Sequence, residues 1–227
     1  MGVVRIPFDE TFILYDPSDA LAYVLVYFSL LPIGILIFYF SWFISGRELE
    51  AVIIAGGQVV NEIFNNILKN WIGHARPMSF GASFQKDTMR SEYGMPSAHS
   101  QFMGFFCMYW SLKIVTSWTG LSRVRKTVSL LAFFLSSICV AFSRWYLGYH
   151  SFDQVSIGVT LGGFLGSLYF MGVGILRYLG LIDWVLSWKI SRALRIKDSF
   201  NNCPLSLAQE LEQWHTRCLA ASEKKNA

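Results

Sequence analysis

The sequence predicts an all-α, polytopic membrane protein, a bundle of about five transmembrane helices followed by a C-terminal interfacial amphipathic helix. Three observations carry this. Hydrophobic residues make up 53% of the 227 positions and charged residues only 15%, too apolar a balance for a soluble chain of this length. Residues 20–46 and 154–176 contain no Asp, Glu, Lys or Arg, and each run is long enough to cross about 30 Å of hydrocarbon. Further apolar stretches of helical length lie between them, separated by polar turns. The same balance excludes disorder, and a net charge of only +4 gives no reason to expect a nucleic-acid partner.

Taken in order, residues 1–20 carry Arg5, Asp9, Glu10, Asp16 and Asp19 without the basic start of a signal peptide, and are expected to stay as a segment outside the membrane. The membrane domain is expected over 21–178. Its first span is placed at 21–44 and its second at 50–68, where Gln58, Asn61, Glu62, Asn65 and Asn66 must face protein or water. Residues 69–95 form a long polar loop, which marks a functional candidate. The third span is placed at 100–118, with Lys113 near its far end expected to snorkel to the interface. The fourth is placed at 127–142 and the fifth at 155–176, where Gly158, Gly162 and Gly166 repeat every four residues as a helix-packing ridge.

Over 179–200, Ile182, Val185, Leu186, Ile190, Ala193 and Leu194 form one helical stripe opposite Asp183, Ser187, Ser191, Arg195 and Asp198. That pattern suits an amphipathic helix on the bilayer surface, with a packed sixth helix as the alternative. Residues 201–227 read as a polar helical tail. Cys107, Cys139, Cys203 and Cys218 lack paired spacing, so neither a disulfide framework nor a zinc site is expected.

With five spans, the N-terminal segment, the 69–95 loop and the turn before the fifth span share one side. Arg47, Arg123, Arg125, Lys126, Arg177, Lys189, Arg192 and the tail's basic residues fall on the other, which the positive-inside rule makes cytosolic. The loops that hold the histidines then face the lumen or exterior. The chain ends Lys224-Lys225-Asn226-Ala227, similar to the dilysine signal by which coat-type retrieval machinery returns endoplasmic-reticulum membrane proteins.

Three clusters stand at that non-cytosolic face: Lys69 with Arg76 and Pro77; Pro96, Ser97, Ala98 and His99; and Ser143, Arg144 and His150. Three cations with few carboxylates nearby repel a divalent metal and attract a phosphate, whose oxygens suit the guanidinium fork. No metal or other cofactor is therefore expected. Ser97, His99 and Asp153 would also serve as an acyl-hydrolase triad, but that chemistry does not explain three cations. Glu62, seven residues before Lys69, shares its helix face and is placed to pair with Lys69 or with an asparagine. His74 and His215 are taken as ordinary surface histidines.

These clusters resemble the three signature motifs of the type 2 phosphatidic acid phosphatase (PAP2) superfamily of integral-membrane lipid phosphatases, over residues 69–154. Arg47-Glu48-Leu49, Asn61-Glu62, the run YGMPSAHSQF at 93–102, and Tyr146 through His150 to Val155 are similar to the branch acting on dolichyl diphosphate. The resemblance implies His150 as nucleophile and His99 as proton donor and later base. Lys69, Arg76, Ser97 and Arg144 would hold the phosphoryl oxygens, and the lipid substrate would come from the bilayer. Ala98 stands where the superfamily usually has Gly. Where it usually has Asp to orient the nucleophile, this chain has Gln154, with Asp153 one residue earlier. Both reach back along a helix, and the branch pattern favours Gln154. The implied activity is removal of the terminal phosphate of dolichyl diphosphate on the lumenal side of the endoplasmic reticulum, recycling the carrier for N-glycosylation. Other lipid phosphates, or a non-catalytic anion-binding membrane protein, are the alternatives. Both histidines of covalent catalysis are present, and a pure binder needs only the cations.

Overall fold

The computed structural model describes residues 13–77, 93–201 and 207–226. The expectations on residues 1–12, on the centre of the 69–95 loop and on Cys203 lie outside the described residues. The described chain is helical: α1 (Ala20–Ser29), α2 (Leu31–Gly46), α3 (Leu49–Ile72), α4 (Ala98–Thr116), α5 (Arg123–Tyr146), α6 (Phe152–Tyr178), α7 (Leu181–Ser187), α8 (Lys189–Ala193) and α9 (Leu207–Asn226). Four segments among the described residues are long and apolar enough to cross a membrane, namely Ala20–Gly46, α3, α5 and α6.

The expected third span, α4, is more polar than these four and still runs alongside them. Glu50 at the start of α3 pairs with Lys113 near the end of α4 at 2.7 Å. Near the other end, Asn65 of α3 donates to Gln101 Oε1 at the start of α4, also at 2.7 Å. The two helices are therefore antiparallel over a common length. α4 tolerates polar residues because protein surrounds it, with α6, α5, α3 and α2 all packed on it. Its apolar face joins Phe102, Met103, Phe105, Tyr109 and Trp110 to Ile35, Tyr39, Ile54 and Val140, the main core of the bundle.

The glycine ridge of α6 meets α4. A Cβ at Gly158, Gly162 or Gly166 would lie 2.8, 2.0 or 2.8 Å from the carbonyl oxygens of Ser97, Gln101 and Phe105, and one at Gly104 would lie 2.2 Å from that of Val159. Backbones this close require the missing side chains. The consequence is functional, since α4 and α6 carry the residues of the second and third clusters.

The first span is two helices. Pro32 has no N–H for the helix ladder, and the chain breaks at Leu30 (ψ −8°), which puts the end of α1 and buried Ser29 beside α5. The amphipathic segment after α6 is also broken. Trp188 is extended (φ −62°, ψ 145°), so α7 has seven residues and α8 five, too short for a sixth span. Trp184, Ile190 and Leu194 stay exposed, as an interfacial segment requires. The chain then turns through Arg195 at φ 54° and returns to the start of α3, where the Lys197 N–H donates to the Arg47 carbonyl and the Leu49 N–H to that of Lys197, both at 2.9 Å.

Lys113 does not snorkel. It is 1% exposed and paired with Glu50, and Arg177 reaches the other Glu50 oxygen at 2.6 Å while pairing with Asp198. The returning 197–200 segment covers this end of the bundle, and an enclosed ammonium is stable only with its counter-charge.

Candidate active site

The site lies at the opposite end, on a buried amide ladder. Gln58, Asn61 and Asn65 share one face of α3. Asn61 Nδ2 donates to Gln58 Oε1 at 3.4 Å, and Gln101 Nε2 donates to Asn61 Oδ1 at 2.8 Å. Asn65 Nδ2 donates to the Pro96 carbonyl at 3.3 Å, pinning the loop that leads into α4. Asn61 and Asn65 are buried because each meets a partner from α4 or the chain before it, whereas half-buried Asn66 bonds within α3. Glu62 pairs with an asparagine, accepting from Asn66 Nδ2 at 3.0 Å.

Lys69, 6% exposed, stands in the last turn of α3. Gly73 follows at φ 64°, a left-handed cap that turns the chain back. The loop stems then meet, with the Gly94 N–H donating to the His74 carbonyl at 2.8 Å and Ala75 bridging Tyr93. Arg76 is thereby returned over the site, where it, Arg144 and Lys69 all act electrostatically on His150 and His99.

Ser97 is the N-cap of α4 but makes no side-chain capping bond; its Oγ accepts from Ser100 Oγ at 3.0 Å. The first-turn N–H groups of α4 consequently present the usual anion-favouring end of a helix. The Ser97 N–H donates to the Gln154 carbonyl at 3.1 Å, tying α4 to α6. The half-buried His99 ring lies within hydrogen-bonding reach of the Ser29 backbone. At the end of α5, Ser143 Oγ lies 2.9 Å from Ser29 Oγ, and Arg144 Nη1 donates to Ser29 Oγ at 3.5 Å. The Arg144 guanidinium sits 3.9 Å from the Tyr149 ring centre, stacked as a cation on an aromatic face.

His150, 3% exposed, occupies the turn between α5 and α6. Its Nδ1 lies 3.1 Å from Gln154 Oε1. Of the two orienting candidates, the structure therefore puts Gln154 on the ring. Asp153 is exposed, because one helix position earlier points away from the bundle. The Ser97–His99–Asp153 triad fails for the same reason. Burial first, then Arg76, Arg144 and Lys69, hold the His150 imidazole well below its ordinary value of 6.5, with the Gln154 bond opposing them.

The sign is that neutral His150 persists to lower pH than a free imidazole. The acid limb of kcat/KM, which reports the free enzyme, is expected below pH 6.5. A pH–rate series on the purified protein checks this, and an acid limb above 6.5 contradicts it.

The structure thus brings together Lys69, Arg76, Ser97, His99, Arg144, His150 and Gln154, and leaves Asp153 outside. Three members were missed from the sequence. Ser29 sat in an apolar run, its one signal being the proline three residues on. Tyr149 was covered by its neighbour His150. His74 was read as a surface residue, yet its Nδ1 lies 2.9 Å from Gln154 Nε2.

A helical membrane bundle that gathers three cations around two imidazoles at one end belongs, as a class, with the integral-membrane phosphatases. The chain is a member of the PAP2 superfamily, whose sequence profile matches residues 50–176. It is 57% identical over 212 residues to the dolichyldiphosphatase of Saccharomyces cerevisiae, covering 93% of this chain and 89% of that one. It is 37% identical over 172 residues to lipid phosphate phosphatase gamma of Arabidopsis thaliana, covering 74% of each. The crystal structure of a transmembrane PAP2-type phosphatidylglycerolphosphate phosphatase from Bacillus subtilis superposes with a TM-score of 0.53 at 23% identity, over 69% of this chain and 77% of that one. That likeness supports the fold.

Proposed function

We propose that this protein hydrolyses dolichyl diphosphate to dolichyl phosphate and inorganic phosphate. The observation that carries the reading is buried His150, held by Gln154 and ringed by Lys69, Arg76 and Arg144, in a chain 57% identical to a dolichyldiphosphatase. In the first step the bare Nε2 of His150 attacks the terminal phosphorus, the bond to the bridging oxygen breaks, and His99 protonates the departing dolichyl phosphate. In the second step His99 takes a proton from water, which attacks the phosphohistidine and releases phosphate. Lys69, Arg76, Arg144, Ser97 and the first-turn N–H groups of α4 stabilise the charge on the phosphoryl oxygens. The fixed cations fill the role a metal clamp has elsewhere.

The excess of basic residues at the Glu50 end supports a cytosolic C-terminus and a lumenal site in the endoplasmic reticulum, with Lys224 and Lys225 offered to the coat machinery. A site there recycles the carrier released by lumenal glycan transfer without moving a diphosphate through hydrocarbon.

The purified, detergent-solubilised protein is expected to release phosphate fastest from dolichyl diphosphate in a panel with phosphatidate and a sphingoid-base phosphate, and to keep this activity in chelator. Preference for phosphatidate would replace the substrate, and loss in chelator would remove the metal-free mechanism. For orientation, a glycosylation acceptor placed in the 78–92 stretch is expected to be modified and one in the tail is not. The chain has no Asn-x-Ser/Thr sequence of its own, so the scan has no background.

A further inference from the structure

The Gln154 side chain is fully buried, and four groups meet its two ends. At Oε1 stand the Ser151 backbone N–H, 3.2 Å away, and His150 Nδ1, 3.1 Å away. At Nε2 stand the Ala75 carbonyl at 2.8 Å and His74 Nδ1 at 2.9 Å. Two of the four have a polarity that cannot change, because a backbone N–H only donates and a carbonyl only accepts. They settle which end of the amide is oxygen.

The two histidines follow from this. His150 Nδ1 must carry a proton to reach Oε1, which leaves its Nε2 bare. His74 Nδ1 must be bare to receive the Nε2 hydrogen, which puts its own proton on Nε2. The chain is thus His74 accepting from Gln154 and Gln154 accepting from His150, each bond committing the next.

The surroundings hold the amide in this orientation. A Cβ at Gly94 would lie 2.6 Å from Gln154 Oε1, so this stem of the loop packs directly on the amide. The same stem is tied to residue 74 by the Gly94 N–H to His74 carbonyl bond of 2.8 Å. His74 itself is exposed, yet one ring nitrogen is turned inward onto a fully buried partner. Packing alone does not require that geometry.

We propose that His74 is a positioning residue for the reaction. By accepting the second hydrogen of the Gln154 amide, it helps keep Oε1 on His150 and so keeps the Nε2 of His150 bare for attack. If the amide rotated, its NH2 would face His150 Nδ1 and favour the opposite tautomer, with the proton on the attacking nitrogen. In this role His74 acts through Gln154 and not on the reacting atoms. The inference rests on His150 being the nucleophile.

The test compares His74→Ala with His74→Asn, whose Oδ1 stands as many bonds from Cα as the imidazole Nδ1. In His74→Ala, kcat and the pre-steady-state rate of phosphoenzyme formation are expected to fall about tenfold, the rate equivalent of one neutral hydrogen bond. KM is expected to stay within about twofold, since the proposed role runs through Gln154 and not through phosphate binding. His74→Asn is expected to recover both rates to within about threefold of the parent. Neither variant should change the unfolding midpoint, because position 74 is exposed. A parental phosphoenzyme rate in His74→Ala overturns the proposal, as does His74→Asn being as slow as His74→Ala, or a change confined to KM. Failure of the nucleophile assignment shows elsewhere, as phosphoenzyme that still forms in His150→Ala.

Discussion

His150→Ala is expected to lower turnover of dolichyl diphosphate by at least about 10⁴-fold, the scale on which nucleophile deletions fall, and to abolish the acid-labile phosphoenzyme. The size follows from role. On the proposed roles Lys69, Arg76 and Arg144 would still bind the diphosphate, but no other described imidazole would replace the ring whose Nδ1 lies 3.1 Å from Gln154 Oε1. His99→Ala should behave differently, with turnover slow and covalent intermediate still forming when the leaving group needs no proton. Quench experiments with radiolabelled terminal phosphate separate the two. Parental turnover in His150→Ala would remove the covalent mechanism and leave the cationic pocket as a binding site.

Glu50→Ala is the largest expected effect on stability, although it lies at the far end of the molecule. Its fully buried carboxylate receives Lys113 Nζ at 2.7 Å, Arg177 Nη2 at 2.6 Å and Tyr109 Oη at 2.8 Å. Phe200 is placed against both cations, 4.5 Å from Lys113 Nζ and 4.1 Å from the Arg177 guanidinium carbon. Removing the carboxylate leaves an enclosed ammonium without its counter-charge, a change that costs about 3–5 kcal/mol in buried pairs. A marked drop in the unfolding midpoint in detergent is the readout. Activity should fall with it, because α3 and α4 carry Lys69 and His99 at their other ends. Glu50→Gln, which keeps an acceptor for Tyr109, should lie between. An unchanged midpoint in Glu50→Ala would mean that water reaches this cluster.

Much of the bundle was legible because its signals are local or periodic. Hydrocarbon thickness sets the length of the apolar runs, so all five expected spans coincide with helices. The four-residue glycine spacing in α6 announced a close helix contact before its partner was known. The three clusters were readable for a similar reason. Each is a short run of cationic, hydroxyl or imidazole side chains at the end of an apolar stretch, an uncommon composition at a membrane boundary.

What the sequence by itself determined, then, is the membrane class, the order of the spans and most of the residues that the bundle gathers at the candidate site. Tertiary structure alone decided the rest. Adjacent positions such as Asp153 and Gln154 differ by 100° around a helix, and only the placement of α6 against α4 shows which one faces inward. The fate of Lys113 depended on a carboxylate 63 positions earlier and on the return of the 197–200 segment, neither of which leaves a trace in local hydropathy. Ser29 and His74 entered the site because a proline break and a left-handed glycine redirected the chain there. Such partners are set by distances between elements remote in sequence, and periodicity along one element carries no information about them.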